Sequence, residues 1–177
     1  MVGRLGMGAI NPLLLLGVVM LIAGFGFKVS TVPFHMWSPD IYEGAPTPVT
    51  AFLAVASKAA GLAAFVRVFL MALPELQPYW FTVLVVLTAL TVIVGNLIAI
   101  PQSNIKRMLA YSSIAQAGYI LFGLVAASAL GVGALLFHSI LYVFANIGAF
   151  GVAVAVKNAT GSDEIKDYCG LAQTSPF

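Results

Sequence analysis

Five apolar stretches, each long enough to cross a hydrocarbon core of ~30 Å as a helix of about 20 residues, leave this chain few folds to choose from. They fall at about residues 12–37 (A), 47–72 (B), 79–100 (C), 102–126 (D) and 130–156 (E). Proline or glycine marks most joins: Pro39, Gly44, Pro46 and Pro48; Pro74 and Pro78; Pro101; Gly131 and Gly133. A backbone amide in hydrocarbon finds no water, so such stretches fold as helices that satisfy their own hydrogen bonds. Composition agrees: 61% of the 177 residues are hydrophobic and 8% are charged, against about 25% charged in a soluble domain. The expected fold is all-α, a polytopic transmembrane bundle of about five spanning helices, one of them broken by proline. Residues 157–177 turn polar and are expected as a loop outside the bilayer.

The same composition excludes several function classes. A net charge of +2 carried by scattered basic residues gives nucleic acid no surface to bind. Cys169 has no second cysteine to pair with. No Cys or His cluster has metal-ligand spacing and no glycine-rich phosphate loop is present, so no cofactor or metal is expected on this chain. Met1 to Asn11 places Arg4 before an apolar run, as a signal peptide does. No charge closes that run before Lys28 and no small-residue cleavage site follows a short core, so the run is read as a retained spanning helix. Lys106, Arg107, Lys157 and Lys166 fall on the side of the A/B loop and the tail, against Arg4 and Arg67 on the other. The excess of basic residues puts the A/B loop and the tail in the cytoplasm.

Within the apolar segments the polar residues are few and informative. Lys28 lies in helix A and Lys58 near the middle of helix B, where a lysine costs about 2.5 to 3.5 kcal/mol on insertion scales. Such a residue faces water, a partner, or a proton pathway, because burial also brings a lysine pKa toward working pH. The plainer reading is a lysine permanently paired with a carboxylate. Lys28 precedes His35 by two helical turns, next to a break at Pro33, where the freed carbonyl needs a partner. His35 is suited either to pass protons or to satisfy that carbonyl. Asp40 and Glu43 are expected in a loop, solvating its tip and capping helix B. Arg67, nine positions after Lys58, points to the opposite face and reads as a headgroup anchor. Helix D carries a polar stripe of Lys106, Tyr111, Ser113 and Gln116, and helix E one of His138, Tyr142 and Asn146. Each stripe suits either a file of water or hydrogen-bonded helix packing. Lys106 has the further reading of a simple interfacial cation.

Phe27 to Gly61 reads FKVSTVPFHMWSPDIYEGAPTPVTAFLAVASKAAG, and Asn104 to Tyr119 reads NIKRMLAYSSIAQAGY. Both resemble the antiporter-like membrane subunits of respiratory complex I, and the wording AFLAVASKAAG narrows the likeness within that family. The resemblance implies a proton-translocating module of the membrane arm in a bacterial inner membrane, with no redox centre of its own. NADH, FMN, the iron-sulfur clusters and quinone would belong to partner subunits. Lys28 matches the family's broken-helix lysine and Lys58 the lysine of the next helix. His35, Lys106 and Tyr111 match the histidine after the proline and the following lysine and tyrosine. With His138 these are the candidate proton-pathway residues.

Helices A to E would correspond to the seventh through eleventh of about fourteen. Two departures stand out. Gln116 occupies a position where the family often has histidine, and glutamine cannot titrate. The family's upstream glutamate and late lysine are not in this sequence, so the resemblance implies a fragment, cut at both ends, that does not pump alone. Two other readings share these residues: a subunit of a cation/proton antiporter, and a structural scaffold whose lysines are permanently paired.

Overall fold

A computed structural model describes residues 12–174, so the expectations for Met1 to Asn11 lie outside the described residues. Among those described, five helices are long and apolar enough to cross a membrane, and no strand is present. The all-α expectation holds.

The first helix, α1 (Pro12–Val29), stops well short of the expected end at residue 37. The terminator is Ser30 rather than Pro33. Ser30 takes a left-handed conformation with φ 63°. Its N–H bonds the Phe27 carbonyl at 3.2 Å while Thr31 N–H reaches back to Gly26 at 2.8 Å, which closes the end of the helix as a Schellman turn. The Trp37 indole donates to the same Phe27 carbonyl at 2.9 Å. A side chain at Gly26 would come within 2.8 Å of both Phe34 and Thr31, so a glycine is needed for the chain to fold back this closely. The segment then runs through a cis Val32–Pro33 peptide, and Val32 N–H is held by Thr91 Oγ1 at 3.0 Å. It continues into a short helix, α2 (Trp37–Gly44). Asp40 and Glu43 therefore lie on a helix, not in the expected loop.

The third helix, α3 (Thr47–Ala72), has the bounds expected of helix B, with Pro48 in its first turn, where the missing N–H costs nothing. It is not uniform. Two π-helical stretches interrupt it, Leu53–Ser57 and Arg67–Ala72, the first ending one residue before Lys58. A turn Pro74–Leu76 leads into α4 (Gln77–Ala99). Asn104 then caps α5 (Ile105–Val125), its Oδ1 accepting from the backbone N–H groups of Lys106 and Arg107. Ser128 caps α6 (Ala129–Thr160) in the same way, through Gly131 N–H. The last spanning helix ends at Thr160, four residues past the expected boundary, with Gly161 at φ 77° closing it. The tail adds a turn at Ile165–Tyr168 and the short α7 (Leu171–Thr174).

The buried helix is α5, with 61% of its spanning window inside the bundle against 22–33% for the others. It is packed by small residues. A Cβ at Gly95 on α4 would lie 2.7 Å from the Ala115 backbone N of α5, and one at Gly118 would lie 3.1 Å from the Val92 backbone N. Phe25, Phe65, Phe69 and Trp80 fill the apolar end in consecutive ring contacts of 5.1, 4.9 and 5.5 Å. At the other end three connections converge. The tail pairs with the start of α5, Ile105 N–H to the Asp163 carbonyl and Ile165 N–H to the Ser103 carbonyl, both at 2.8 Å. Beside them α2 packs on α5. The A/B loop, the C/D join and the tail thus share one side, as the alternating topology requires.

Candidate functional site

Among the described residues two lysines are buried, and Lys58 is the one at mid-helix. Lys58 is 2% exposed, although a lysine is among the residues least often buried unpaired. Its ammonium donates to the Ser113 hydroxyl, directly across the interface from α3 to α5. The same ammonium stands 5.7 Å from the centre of the Tyr42 ring, a cation–π contact worth about 0.5 to 2 kcal/mol. Around them the Tyr42 and Tyr142 hydroxyls interact electrostatically with Ser113, and Tyr42 also with Ser38, without reaching hydrogen-bonding geometry. Asn146, one turn beyond Tyr142, donates to the Tyr142 carbonyl at 2.9 Å. A cavity of ≈ 10 Å³ borders Lys58, Ser113, Ser139 and Tyr142. That is about enough for one water, with polar groups on its wall to hold it.

Among the described residues no carboxylate reaches this cluster. Asp40 and Glu43 both receive Arg107 at 2.8 Å, Asp163 pairs with Lys157 at 2.5 Å, Glu75 sits at the far end of the bundle, and Glu164 and Asp167 are in the tail. The pairing of Lys58 with a buried acid, required by the scaffold reading, has no partner among the described residues.

The other candidates divide. Lys28 is exposed in the last turn of α1, outside the Lys58 cavity. Its stem lies against Gly61, where a Cβ would come within 3.0 Å of Lys28 Cγ, so it reaches the helix of Lys58 one turn further along. His138, half-buried on α6, places Nε2 2.8 Å from Gln116 Oε1. The adjacent Ser139 is on the wall of the Lys58 cavity. His35 is buried in the broken segment with Nδ1 unpartnered, its ring 6.5 Å from that of Tyr111, also buried. Arg67 is exposed near the end of α3, where an anchor belongs.

Lys106 is different again. It is 2% exposed, and its ammonium donates to the Glu43 carbonyl at 2.7 Å and the Ala45 carbonyl at 2.6 Å. It thereby caps the C-terminus of α2, whose last carbonyls have no helical partner. Two further bonds complete the cap: Ala45 N–H donates to the Ile41 carbonyl and the Thr50 hydroxyl donates to the Tyr42 carbonyl. Asp40 and Glu43 tie α2 to Arg107 rather than capping helix B, as the sequence had suggested. A carbonyl left unsatisfied where water cannot reach it costs about 1 to 3 kcal/mol, and the part-buried carbonyls of Glu43 and Ala45 have Lys106 as their partner.

Neither Tyr42 nor Ser38 is among the residues that the sequence singles out as candidates. Both face inward because they are four apart on α2, a spacing that carries no signal while the segment is taken for a loop.

A bundle of five spanning helices, one broken and followed by a helix with a buried lysine, defines a polytopic helical membrane subunit of antiporter-like architecture. Residues 2–177 match the family described as NADH:quinone oxidoreductase/Mrp antiporter, TM, and the chain belongs to that family. Among its relatives, NADH-quinone oxidoreductase subunit N of Moorella thermoacetica is 64% identical over 94% of this chain and 35% of its own length. The chloroplastic NAD(P)H-quinone oxidoreductase subunit 2 of Chaetosphaeridium globosum is 48% identical over 95% and 34%. Respiratory complex I from Thermus thermophilus superimposes with a TM-score of 0.74 at 42% identity, over 97% of this chain and 37% of that one. An Mrp complex from a Dietzia species shares the fold, with a TM-score of 0.84 at 22% identity. The chain spans about a third of the length of these relatives.

Proposed function

We propose that this chain is the central piece of a proton-translocating membrane-arm subunit of an NADH:quinone oxidoreductase, and that Lys58 is the group on which the proton pauses. The observation that carries this reading is Lys58 itself, buried at mid-helix against hydroxyls, an aromatic face and room for a water, with no carboxylate beside it. A permanently charged amine there keeps an uncompensated cost in hydrocarbon, while one that gives up and regains its proton meets that cost only in passing.

Lys28 hands the proton to Lys58 along the Gly61 face of α3, and His138 takes it on through the Ser139 wall, with His35 and Tyr111 flanking the way in. The resemblance supplies the rest: an upstream glutamate that pairs with Lys28 and lies outside this chain, and quinone reduction in neighbouring subunits as the driving event. NADH, FMN, iron-sulfur clusters and quinone then belong to those partners, the other membrane-arm subunits pack around these helices, and the A/B loop and tail face the cytoplasm.

The test is to purify the full-length parent from membranes and assay reconstituted vesicles. Co-migration with quinone-reductase subunits and acidification driven by NADH and quinone are expected. Sodium-dependent exchange without any quinone reductase would instead make it a cation/proton antiporter subunit.

Gln116 has a place in this scheme without titrating, since its amide oxygen orients His138. Gln116→Leu removes an inter-helix bond worth about 0.6 kcal/mol or more. It is expected to slow proton uptake by the parent about 3-fold, and Gln116→His to restore it, because an imidazole accepts the same bond. Equal rates in all three would leave the contact as packing alone.

A further inference from the structure

We propose that Lys106 is a positioning residue: by closing the C-terminal turn of α2 it holds Tyr42 over the Lys58 ammonium, and it carries no proton of its own. This rests on the proton-transfer reading of Lys58. The geometry is continuous from one lysine to the other. Lys106 Nζ bonds the carbonyl of Glu43, the residue after Tyr42, and that of Ala45. Tyr42 is fully buried, packed among Ala54, Ala110 and Phe150, with its ring 5.7 Å from Lys58 Nζ. It thus shares one small cluster with α3, α5 and α6. Only α2 brings Tyr42 there, and α2 is a short helix between two irregular joins, too brief to hold itself without tertiary contacts.

The charges around Lys106 suit anchoring. Asp163, Lys157 and Glu43 are within electrostatic reach, and the first two already pair with each other at 2.5 Å. Two of the three ammonium donors are committed to backbone carbonyls, and a carbonyl does not take up a proton and pass it on. Next along the chain, Arg107 holds the outer face of α2 through Asp40 and Glu43, both at 2.8 Å. The Arg107 side chain is 33% exposed against 2% for Lys106, and exposed ion pairs are the weaker hold. The two successive cations therefore grip the inner and outer sides of one helical turn.

The experiment follows two quantities in the full-length parent within its assembled complex. One is NADH-driven proton uptake by vesicles. The other is the rate at which a small water-soluble methanethiosulfonate modifies Ser38→Cys, a buried position one turn before Tyr42. The labelling is done in unenergised membranes with Cys169 and every other cysteine replaced by serine. Lys106→Met, which keeps the length and removes the donors, is expected to raise the modification rate at least tenfold and lower proton uptake by a similar factor. Arg107→Gln should move both in the same directions, by about threefold. Lys106→Arg retains donors but cannot release a proton at working pH, and is expected to keep the cysteine protected and uptake within twofold of the parent.

Protection and uptake that move together across all three variants support the proposal. Any variant that splits them, protected yet not pumping or exposed yet pumping, overturns it, and a protected, inactive Lys106→Arg would make Lys106 a carrier. Labelling does not depend on pumping. If the unmodified parent fails to take up protons while Lys106→Met still exposes position 38, the functional reading fails and the anchoring of α2 stands.

Discussion

Lys58→Ala in the full-length parent is expected to cut NADH-driven proton uptake by vesicles at least about tenfold, with the complex still assembled. A tenfold loss corresponds to about 1.4 kcal/mol, less than the ~2.3 kcal/mol needed to move one charge against 100 mV. Removing the amine buried at mid-helix therefore removes more than a margin. Alanine leaves Ser113 without its donor, but that hydroxyl borders the cavity and has room to bond water, so the fold survives.

The informative companion is Lys58→Arg. A guanidinium keeps the charge, the donors and an attraction to the Tyr42 ring, yet does not deprotonate. If Lys58 works by releasing its proton, arginine fails as completely as alanine. If it serves as a fixed counter-charge in a scaffold, arginine rescues. Proton uptake measured alongside quinone reduction separates the two, and unchanged pumping in Lys58→Ala would remove Lys58 from the mechanism.

A second large effect is expected far from any charge. Gly95→Leu on α4 drives a side chain into the backbone of α5, where even a Cβ would stand 2.7 Å from Ala115 N and 3.0 Å from its Cα. A backbone atom on the buried central helix cannot swing aside as a flexible side chain does. The two helices must separate, and overpacking of this kind costs about 1 to 3 kcal/mol or more. Separation also moves Ser113, two residues before Ala115, away from Lys58. We expect the parent carrying Gly95→Leu to accumulate poorly in membranes and to lose several degrees of thermal stability in detergent, with Gly95→Ala intermediate. A variant as stable as the parent would show that α4 and α5 are not in backbone contact there.

Some of this was written along the chain. Thr47–Ala72 ran where its apolar residues and flanking prolines said it would, and the starts of α4 and α5 fell within three residues of expectation. The end of α1 was misplaced because proline is the conspicuous helix breaker, whereas a left-handed serine closing a Schellman turn leaves no mark in hydropathy. The π-helical stretch before Lys58 was equally silent, since LAVAS contains neither proline nor glycine. Asp40 and Glu43 looked like loop residues because α2 is short, proline-bearing and barely apolar. It exists because Lys106, Thr50 and Arg107 take up its free ends and charges from elsewhere.

The sequence alone therefore determined the number of spanning helices, the family, and the titratable residues that lie inside them. Hydropathy acts residue by residue, and a lysine in an apolar run declares its cost without reference to any neighbour. Tertiary structure decided what each of those residues faces. Lys58 meets Ser113, fifty-five positions away, while Lys106 meets two carbonyls more than sixty positions away. Two lysines equally buried thus become an amine beside a cavity and a helix cap. Hydrogen-bond partners across that separation are fixed only when the helices pack, and no local pattern records them.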